Sequence, residues 1–238
     1  MGKKPNKLRK TKSVSFRVPE QLRLAIIEAA KEVGVSQTDF MIGGAMGLLR
    51  QIGDGASFKD IMLPEGYTLP YLPTEKARMV AIRATPEALA LIQDSAARLW
   101  HSRTGLILWG SALRIKRSTN VALPMNKEGA QAPRLSSVQF RVPLMLQRRV
   151  DELTPDNGLD LRTFIATATE HYLQNLDKTP AKNLLLPKGF SISTISKIIA
   201  VPISNGLMQQ GVYATAPRLY HSIRSICLLA AAWKAFVE

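Results

Sequence analysis

One ten-residue segment occurs twice in this chain, and that repetition limits what the chain can fold into. SVSFRVPEQL, which begins at Ser13, returns as SVQFRVPLML, which begins at Ser137, 124 positions later. Aligned without gaps, residues 13–40 and 137–164 share ten identical residues in 28. A second pair of segments, LPEGYTL and LPKGFSI, follows at a spacing of 123. The repeat therefore spans most of each half of the chain and indicates a duplicated structural unit.

Each copy begins with a strict alternation of apolar and polar residues. In the first copy, apolar Val14, Phe16 and Val18 are separated by polar residues. A period of two predicts a short strand with one buried face. Pro19 follows, as Pro143 does in the second copy, and a proline is well tolerated where a helix begins. The pattern predicts a strand followed by a helix.

The end of this helix and a second helix are also visible in the sequence. Gly34 and Gly158 predict the C-terminal ends of the two first helices. In the first copy, Ser36 predicts the N-cap of a second helix that runs to about Ile52. This helix contains residues that form helices poorly, and we expect them to let another helix cross closely. They are Gly43, Gly44 and Gly47.

The same order of strand, helix, turn and helix recurs at 79–115 and, more loosely, at 195–236. The connecting segments at 53–76, 118–134 and 177–193 are rich in Pro, Gly and polar residues, which predicts linkers. We therefore expect four units arranged as two halves. The predicted divisions are a basic N-terminal arm at 1–12, a first double domain at 13–117 with units 13–52 and 77–117, a linker at 118–134, and a second double domain at 135–238 with units 135–176 and 193–238.

A short strand that ends in FRVP and precedes two helices resembles the ribbon-helix-helix superfamily of DNA-binding proteins, to which Arc and the methionine repressor belong. Tandem units in one chain are similar to TraY-like plasmid transfer proteins. In this superfamily two units intertwine, their strands form an antiparallel ribbon, and four helices form the core. The resemblance implies a mainly α fold with short β-ribbons, in which four tandem ribbon-helix-helix units form two intramolecular pseudo-dimers. Pairing of unit one with unit three remains an alternative.

Composition adds the expectation of an anionic partner. The 238 residues include 32 Lys and Arg against 18 Asp and Glu, a formal net charge of +14. A charge this positive favours nucleic acid first and an acidic membrane surface second. Cys227 is the only cysteine, so no intrachain disulfide can form. We interpret it as a small buried hydrophobic residue.

The sequence also bears on location. The basic N-terminus is not followed by the apolar stretch of a signal peptide. The longest apolar run, 226–237, is interrupted by Lys234 and falls short of the roughly 18 to 20 residues that cross a bilayer. We therefore expect a cytoplasmic protein that does not enter a membrane.

The resemblance implies that outward side chains of the strands contact bases. Arginine can bind guanine O6 and N7 with two hydrogen bonds, and glutamine can bind adenine in the same way. Unit four departs from this pattern because its outward positions are Ser196, Ile198 and Ala200; we expect a structural role there, with contacts to thymine methyl groups as the alternative. Ordinary solvation of the strand is the alternative for the other units. The candidate base-contacting residues are Ser13, Ser15, Arg17, Arg83, Ser137, Gln139 and Arg141.

Phosphate contacts are expected at the start of each second helix, where backbone N–H groups and the helix dipole suit an anion. In the third unit Asp160 stands at this place and repels phosphate. The basic arm is a further candidate. Helix capping and a solvated tail are the alternatives. The candidate phosphate-contacting residues are Lys10, Lys12, Ser36, Gln37, Ser102, Arg103, Arg162 and Arg218.

No constellation of catalytic or metal-binding residues stands out. His101, His171 and His221 are far apart in sequence, and none has metal-ligand spacing to a cysteine or carboxylate. Phosphate-binding glycine loops and the common hydrolase motifs are absent from the sequence. The three tryptophans lie on apolar helix stripes and are expected in the core. We therefore expect a protein that is not an enzyme and has no cofactor or metal.

Together these features predict a sequence-specific double-stranded DNA-binding protein that inserts β-ribbons in the major groove. The tandem layout favours a plasmid-type accessory factor at a transfer origin or partition site, and a transcriptional repressor is the alternative. Additional candidate partners are a relaxase or other plasmid-transfer proteins, and further copies of the chain on DNA. A non-specific RNA- or anionic-membrane-binding protein is the alternative of another class. Pairing within each half predicts direct repeats about one helical turn apart, whereas pairing of units one and three predicts a near-palindromic site.

Overall fold

The structure is a computed structural model. The residues that it describes are 11–67, 77–125, 137–154, 160–190, 196–202 and 206–238. The described residues up to 125 are called the first half below, and those from 137 onward are called the second half.

The described residues form four strands and eight α helices, and each strand is followed by two helices. The strands are β1 (Lys12–Pro19), β2 (Ala77–Ala84), β3 (Ser137–Pro143) and β4 (Ser196–Pro202). The helices are α1 (Glu20–Glu32), α2 (Gln37–Gly53), α3 (Pro86–Arg98), α4 (Arg103–Ser118), α5 (Leu144–Leu153), α6 (Leu161–Asn175), α7 (Gly206–Thr215) and α8 (Ile223–Phe236). Short 3-10 helices lie at Lys59–Ile61, Ala181–Leu184 and Pro217–Leu219.

The strands pair in chain order. β1 pairs antiparallel with β2, and β3 pairs antiparallel with β4, so there are two separate two-stranded sheets. This order excludes a sheet between the strands of units one and three. In the first sheet Val14 lies opposite Ile82 and Phe16 lies opposite Val80. The predicted alternation is confirmed, because Phe16 is buried and its neighbour Ser15 is exposed.

Local hydrogen bonds explain several helix boundaries. The repeated proline immediately precedes α1 and α5. Ser36 caps α2, because its hydroxyl oxygen accepts a hydrogen bond from the backbone N–H of Asp39 at 3.0 Å. Gly34 follows α1 with a φ of +70°, a conformation that glycine adopts without a Cβ clash. Gly158, which was predicted to end α5, lies outside the described residues.

Helices α2 and α4 touch backbone to backbone. A Cβ placed on Gly44 would lie 2.7 Å from the carbonyl oxygen of Gly110, and a Cβ on Gly110 would lie 2.5 Å from the backbone nitrogen of Ala45. The predicted close crossing is confirmed at Gly44. It is wrong for Gly47, where a Cβ would meet no described atom within 4 Å.

The segments between the units belong to the core, although their composition predicted linkers. Phe58, Ile61 and Leu63 are fully buried, and so is Leu186 in the second half. The indole N–H of Trp109 donates to the carbonyl oxygen of Ile61 at 3.1 Å, which fixes the first of these segments to α4.

The two halves meet in reciprocal contacts. The Arg98 Nε–H donates to the Leu186 carbonyl at 2.8 Å, and the Leu186 N–H donates back to the Arg98 carbonyl at 3.0 Å. Arg218 and Leu63 exchange the same two hydrogen bonds at 2.9 and 2.8 Å. These four residues are called the reciprocal junction. Contacts of the form i to j and j to i are isologous, and a two-fold rotation produces them.

Two further pairs of residues lie across the same boundary. The rings of His101 and His221 stack with centroids 3.7 Å apart and planes 23° apart, and both side chains are buried. The two histidines hold equivalent places in RLWHS and RLYHS. Ser57 and Pro180 form an antiparallel bridge between the halves. The halves are therefore related by an approximate two-fold axis.

The predicted fold class, four tandem ribbon-helix-helix units in two pseudo-dimers, is wrong. The described residues are 61% helical, with two small antiparallel sheets, and they do not show a repeat of four equivalent units. The physical reason is that the connecting segments and the reciprocal junction join both halves in one continuous hydrophobic core. Packing outside the repeated units therefore determines much of the fold.

Other features of the fold bear on the remaining predictions. The domain boundaries stay a prediction, because the linker predicted at 118–134 is described only as far as residue 125. Cys227 is buried, as predicted, and burial raises the pKa of its thiol to about 12. Within the described ranges, every helix is too short or too polar to cross a membrane.

Candidate nucleic-acid interface

The first ribbon, formed by β1 and β2, presents one polar face to solvent. Ser13, Ser15 and Arg17 are all exposed along β1. Arg83, also exposed, lies opposite Ser13, and Ala81 lies opposite Ser15. The four residues of the first half that were predicted to contact bases therefore lie on one face of one sheet.

The second ribbon, formed by β3 and β4, presents an equivalent face. Gln139 and Arg141 are exposed. They lie opposite Ala200 and Ile198, respectively. The side chain of Ser137 lies outside the described residues. The register of Arg141 in this ribbon matches that of Arg17 in the first.

Sequence reasoning missed one outward residue of the first ribbon. β2 spans Ala77–Ala84, and Met79 lies opposite Arg17. Its side chain is 64% exposed, and Ile198, at the same register of the second ribbon, is 62% exposed. The alternation of inward and outward residues in ARMVAIRA extends back to Met79, so this pattern could have identified Met79 as an outward residue.

The outward arginines have their hydrogen-bond donors available. Arg17, Arg83 and Arg141 make no hydrogen bond or ion pair with another residue in the part of the chain that the structure describes. At the end of the first ribbon, by contrast, Arg78 lies 3.8 Å from Glu20. A guanidinium without a protein partner can bind the edge of a guanine.

The starts of α4 and α8 are suited to phosphate. Ser102 and Ser222 cap these helices, each accepting a hydrogen bond from the backbone N–H three residues later, at 2.9 and 3.1 Å. Neither first turn contains a carboxylate. Arg103 is half-buried beside the first cap, and Arg224 is exposed beside the second. A helix N-terminus with an adjacent arginine favours an anion.

Both helix starts border a groove beside a ribbon. Arg103 lines a groove with Ser13 and Ser15 of the first ribbon. Arg224 lines a groove with Arg141 of the second. Both helices begin two residues after the stacked histidines, so Arg103 and Arg224 are close in sequence to the boundary between the halves.

The starts of α2 and α6 are less favourable for phosphate because each carries a carboxylate. The Ser36 hydroxyl donates to Asp39 at 2.7 Å, and the neighbouring Gln37 is half-buried. Asp160 caps α6 by accepting a backbone N–H at 2.7 Å. Hydrogen bonds to Thr163, chiefly from its backbone N–H, lower the pKa of Asp160, so this carboxyl stays charged near neutral pH.

The remaining phosphate candidates are dispersed. Lys12 is exposed at the start of β1, and Arg162 is exposed in the first turn of α6. Lys10 lies outside the described residues. Arg218 is half-buried with its guanidinium bound to Leu63, which gives it a place in the reciprocal junction. Arg224 is therefore the candidate phosphate-contacting residue near α8 in place of Arg218. Arg224 was not predicted from the sequence, although the RLYHS segment marks the start of this helix.

Sequence reasoning also treated the histidines as isolated, whereas two of them touch. Burial lowers the pKa of His101 to about 4. Burial, and to a smaller extent His101 itself, lowers the pKa of His221 well below its ordinary value. The signal in the sequence was the agreement of RLWHS at 98–102 with RLYHS at 218–222. Among the described residues, no cluster of three or more His, Cys, Asp or Glu side chains could hold a metal ion.

Comparison of the chain with protein-family models, curated proteins and solved structures finds no match.

Proposed function

We propose that the protein binds double-stranded DNA in a sequence-specific manner, with each ribbon in the major groove, as in the ribbon-helix-helix proteins that its strands resemble. The observation that carries this proposal is the recurrence of Arg17 and Arg141 at the same register of two ribbons, both exposed and without a described partner. A two-stranded ribbon fits the major groove, which is about 12 Å wide, and arginine there can bind guanine.

The charge of the chain supports the same proposal. A net charge of +14 favours a polyanion and accelerates encounter with it. In this proposal Lys12, Arg103 and Arg224 contact phosphates beside the ribbons. Phosphate contacts fix the position of a protein on the duplex, and base contacts select the sequence.

The approximate two-fold axis bears on how the target is arranged. Each ribbon has one strand with most of the polar outward residues, β1 or β3, and one poorer strand, β2 or β4. For ribbons whose strands lie across the axis, a two-fold rotation between the halves reverses the direction of one ribbon relative to the other. In this proposal one duplex contacts both ribbons. We therefore propose inverted half-sites in place of the direct repeats that tandem units predicted.

Selection of duplexes from a random library, followed by footprinting, tests the proposal. We expect a preferred sequence with inverted halves that each contain a guanine, bound at least about 10³-fold more tightly than random DNA. Replacing both Arg17 and Arg141 by Ala will remove most of this preference, since each bidentate contact contributes roughly 1 to 3 kcal/mol. The helical content will not change, because both side chains are exposed.

A charge-matched control separates base contacts from net charge. Arg50 and Lys182 are exposed outside the ribbons, and their replacement by Ala removes the same two charges. We expect this control to weaken binding to all duplexes by a similar factor while keeping the preference. Equal effects of the two double variants on preference would contradict the assignment of Arg17 and Arg141. Tighter binding to RNA or to anionic vesicles than to duplex DNA would contradict the proposed function.

For the biological role we favour an accessory factor at a plasmid transfer origin or partition site, acting in the cytoplasm with a relaxase or other transfer proteins. Two ribbons held by one chain suit a fixed nucleoprotein geometry, although this support is by analogy with tandem plasmid proteins. Stimulation of relaxase nicking on a selected duplex is the expected result. Repression of a downstream reporter without any effect on nicking would favour the alternative role of transcriptional repressor.

A further inference from the structure

Part of the outward face is apolar on the second strand of each ribbon, β2 or β4. Met79 is 64% exposed on β2 and Ile198 is 62% exposed on β4. Two positions further along each strand stand Ala81, which is exposed, and Ala200, which is half-buried. The outward faces of β2 and β4 are therefore apolar over the same two positions.

The apolar residues also have equivalent partners across the ribbons. Met79 lies opposite Arg17, and Ile198 lies opposite Arg141. Single exposed apolar residues are common on protein surfaces and need no explanation. Here the exposure recurs beside an arginine at the same register of two ribbons, although ARMVAIRA and SKIIAVP differ in sequence. This recurrence indicates that the same kind of ligand, called the occupant below, contacts both ribbons at these positions.

The occupant must offer an apolar group next to hydrogen-bond acceptors inside a groove. Side chains directly opposite each other on an antiparallel pair have Cβ atoms about 4.5 to 5.5 Å apart, and successive bases on one strand are about 3.4 Å apart. An arginine and its apolar partner therefore reach the same base pair or adjacent ones. In the major groove the acceptors are guanine O6 and N7, and the apolar group is the thymine methyl.

We infer that Met79 and Ile198 each contact the methyl group of a thymine next to the guanine bound by Arg17 or Arg141. This inference rests on the proposed function and adds specificity-determining residues to it. It replaces the expectation that unit four is only structural. Each half-site then contains a guanine and a thymine in neighbouring base pairs, either on the same DNA strand or on opposite strands. The small side chains of Ala81 and Ala200 leave room for the methyl groups.

Deoxyuridine substitution tests the inference, because uracil lacks only the methyl group of thymine. The probe is the duplex selected by the unmodified protein, with each thymine replaced in turn. We expect one sensitive thymine in each half-site, where binding weakens about fourfold, as loss of one buried methyl contact predicts. In the variant with Met79→Ala and Ile198→Ala, the same substitutions will have no effect, because the contact is already absent.

Two further variants keep the test interpretable. Met79→Leu with Ile198→Leu retains an apolar side chain and will retain sensitivity to uracil. Leu24→Ala with Leu91→Ala removes exposed apolar residues outside the ribbons and will leave the uracil effect unchanged. Sedimentation of the alanine variant without DNA checks the competing occupant, a second copy of the chain.

The outcomes separate this inference from the proposed function. Selective binding that depends on Arg17 and Arg141 but shows no uracil-sensitive thymine would overturn the inference and leave the proposed function in place. Loss of self-association in the alanine variant, with an unchanged uracil effect, would also overturn it. Absence of any selective duplex binding would overturn both.

Discussion

Acidification from pH 7.5 to 5.5 will destabilise this protein through the stacked histidines. His101 and His221 are buried, and the Nε2–H of His101 donates to the Leu219 carbonyl at 3.1 Å. A carbonyl can only accept, so this nitrogen carries the proton in the neutral ring. Neither nitrogen of His221 has a hydrogen-bond partner in the described part of the chain. A proton on either ring would place a buried charge against the other ring.

The direction and size of the effect follow from the two pKa values. In the unfolded chain the pKa of histidine is about 6.5, whereas in the fold burial lowers that of His101 to about 4 and that of His221 well below the ordinary value. The unfolded state therefore binds protons first as the pH falls, and stability is lost below about pH 6.5. At pH 5.5 each histidine that stays neutral in the fold lowers the free energy of unfolding by about 1.4 kcal/mol, and the pair lowers it by about 3 kcal/mol.

Urea denaturation at pH 7.5 and 5.5, monitored by circular dichroism, measures this difference. Carboxyl groups titrate mainly below pH 5.5, so the histidines account for most of the change in stability between the two pH values. We expect the variant with His101→Phe and His221→Phe to lose most of the difference, whatever its absolute stability. His171→Gln, which changes the third and half-exposed histidine, will keep it. A pH difference of the same size in the double phenylalanine variant would refute the reasoning.

The remaining predictions concern helix packing and phosphate contacts. Gly44→Ala will destabilise the fold by about 1 to 3 kcal/mol, because the new methyl would meet the backbone of Gly110. In Gly47→Ala the new methyl meets no described atom, and this variant will be more stable by up to about 1 kcal/mol. Calorimetry measures whether each substitution lowers or raises the melting temperature. Arg103→Ala and Arg224→Ala will each reduce the slope of log affinity against log salt by about 1 without changing sequence preference. An unchanged slope in either variant would remove that arginine from the phosphate contacts.

The sequence predicted the local structure because local structure depends on nearby residues. The alternation around Phe16 identified the strand and its outward face, and Ser36 identified the start of a helix. Pairing of β1 with β2 depends on contacts between residues that are distant in sequence. The sequence therefore left open whether unit one pairs with unit two or with unit three. Met79 was not among the candidate base-contacting residues, although it lies on the outward face of β2.

The larger errors came from segments that look like linkers. Leu63 and Leu186 stand beside prolines and near glycines, which predicted linkers, yet both leucines are buried. Their side chains belong to the hydrophobic core, and their backbone groups exchange hydrogen bonds across the reciprocal junction. No local pattern in the sequence reveals either interaction. Arg218 was assigned to phosphate on its charge and its position before α8, whereas its guanidinium satisfies the Leu63 carbonyl. Charge alone does not distinguish a surface arginine from one that fixes packing.

The fusion of two related halves has a consequence for how this protein can change. In a homodimer, every substitution alters both copies of a surface at once. Here Arg17 and Arg141 are encoded separately, so one can be replaced while the other stays. Under the proposed function, recognition of the left and right parts of a target can then diverge independently. Such a chain can come to prefer an asymmetric sequence without losing the symmetric scaffold that holds its two ribbons.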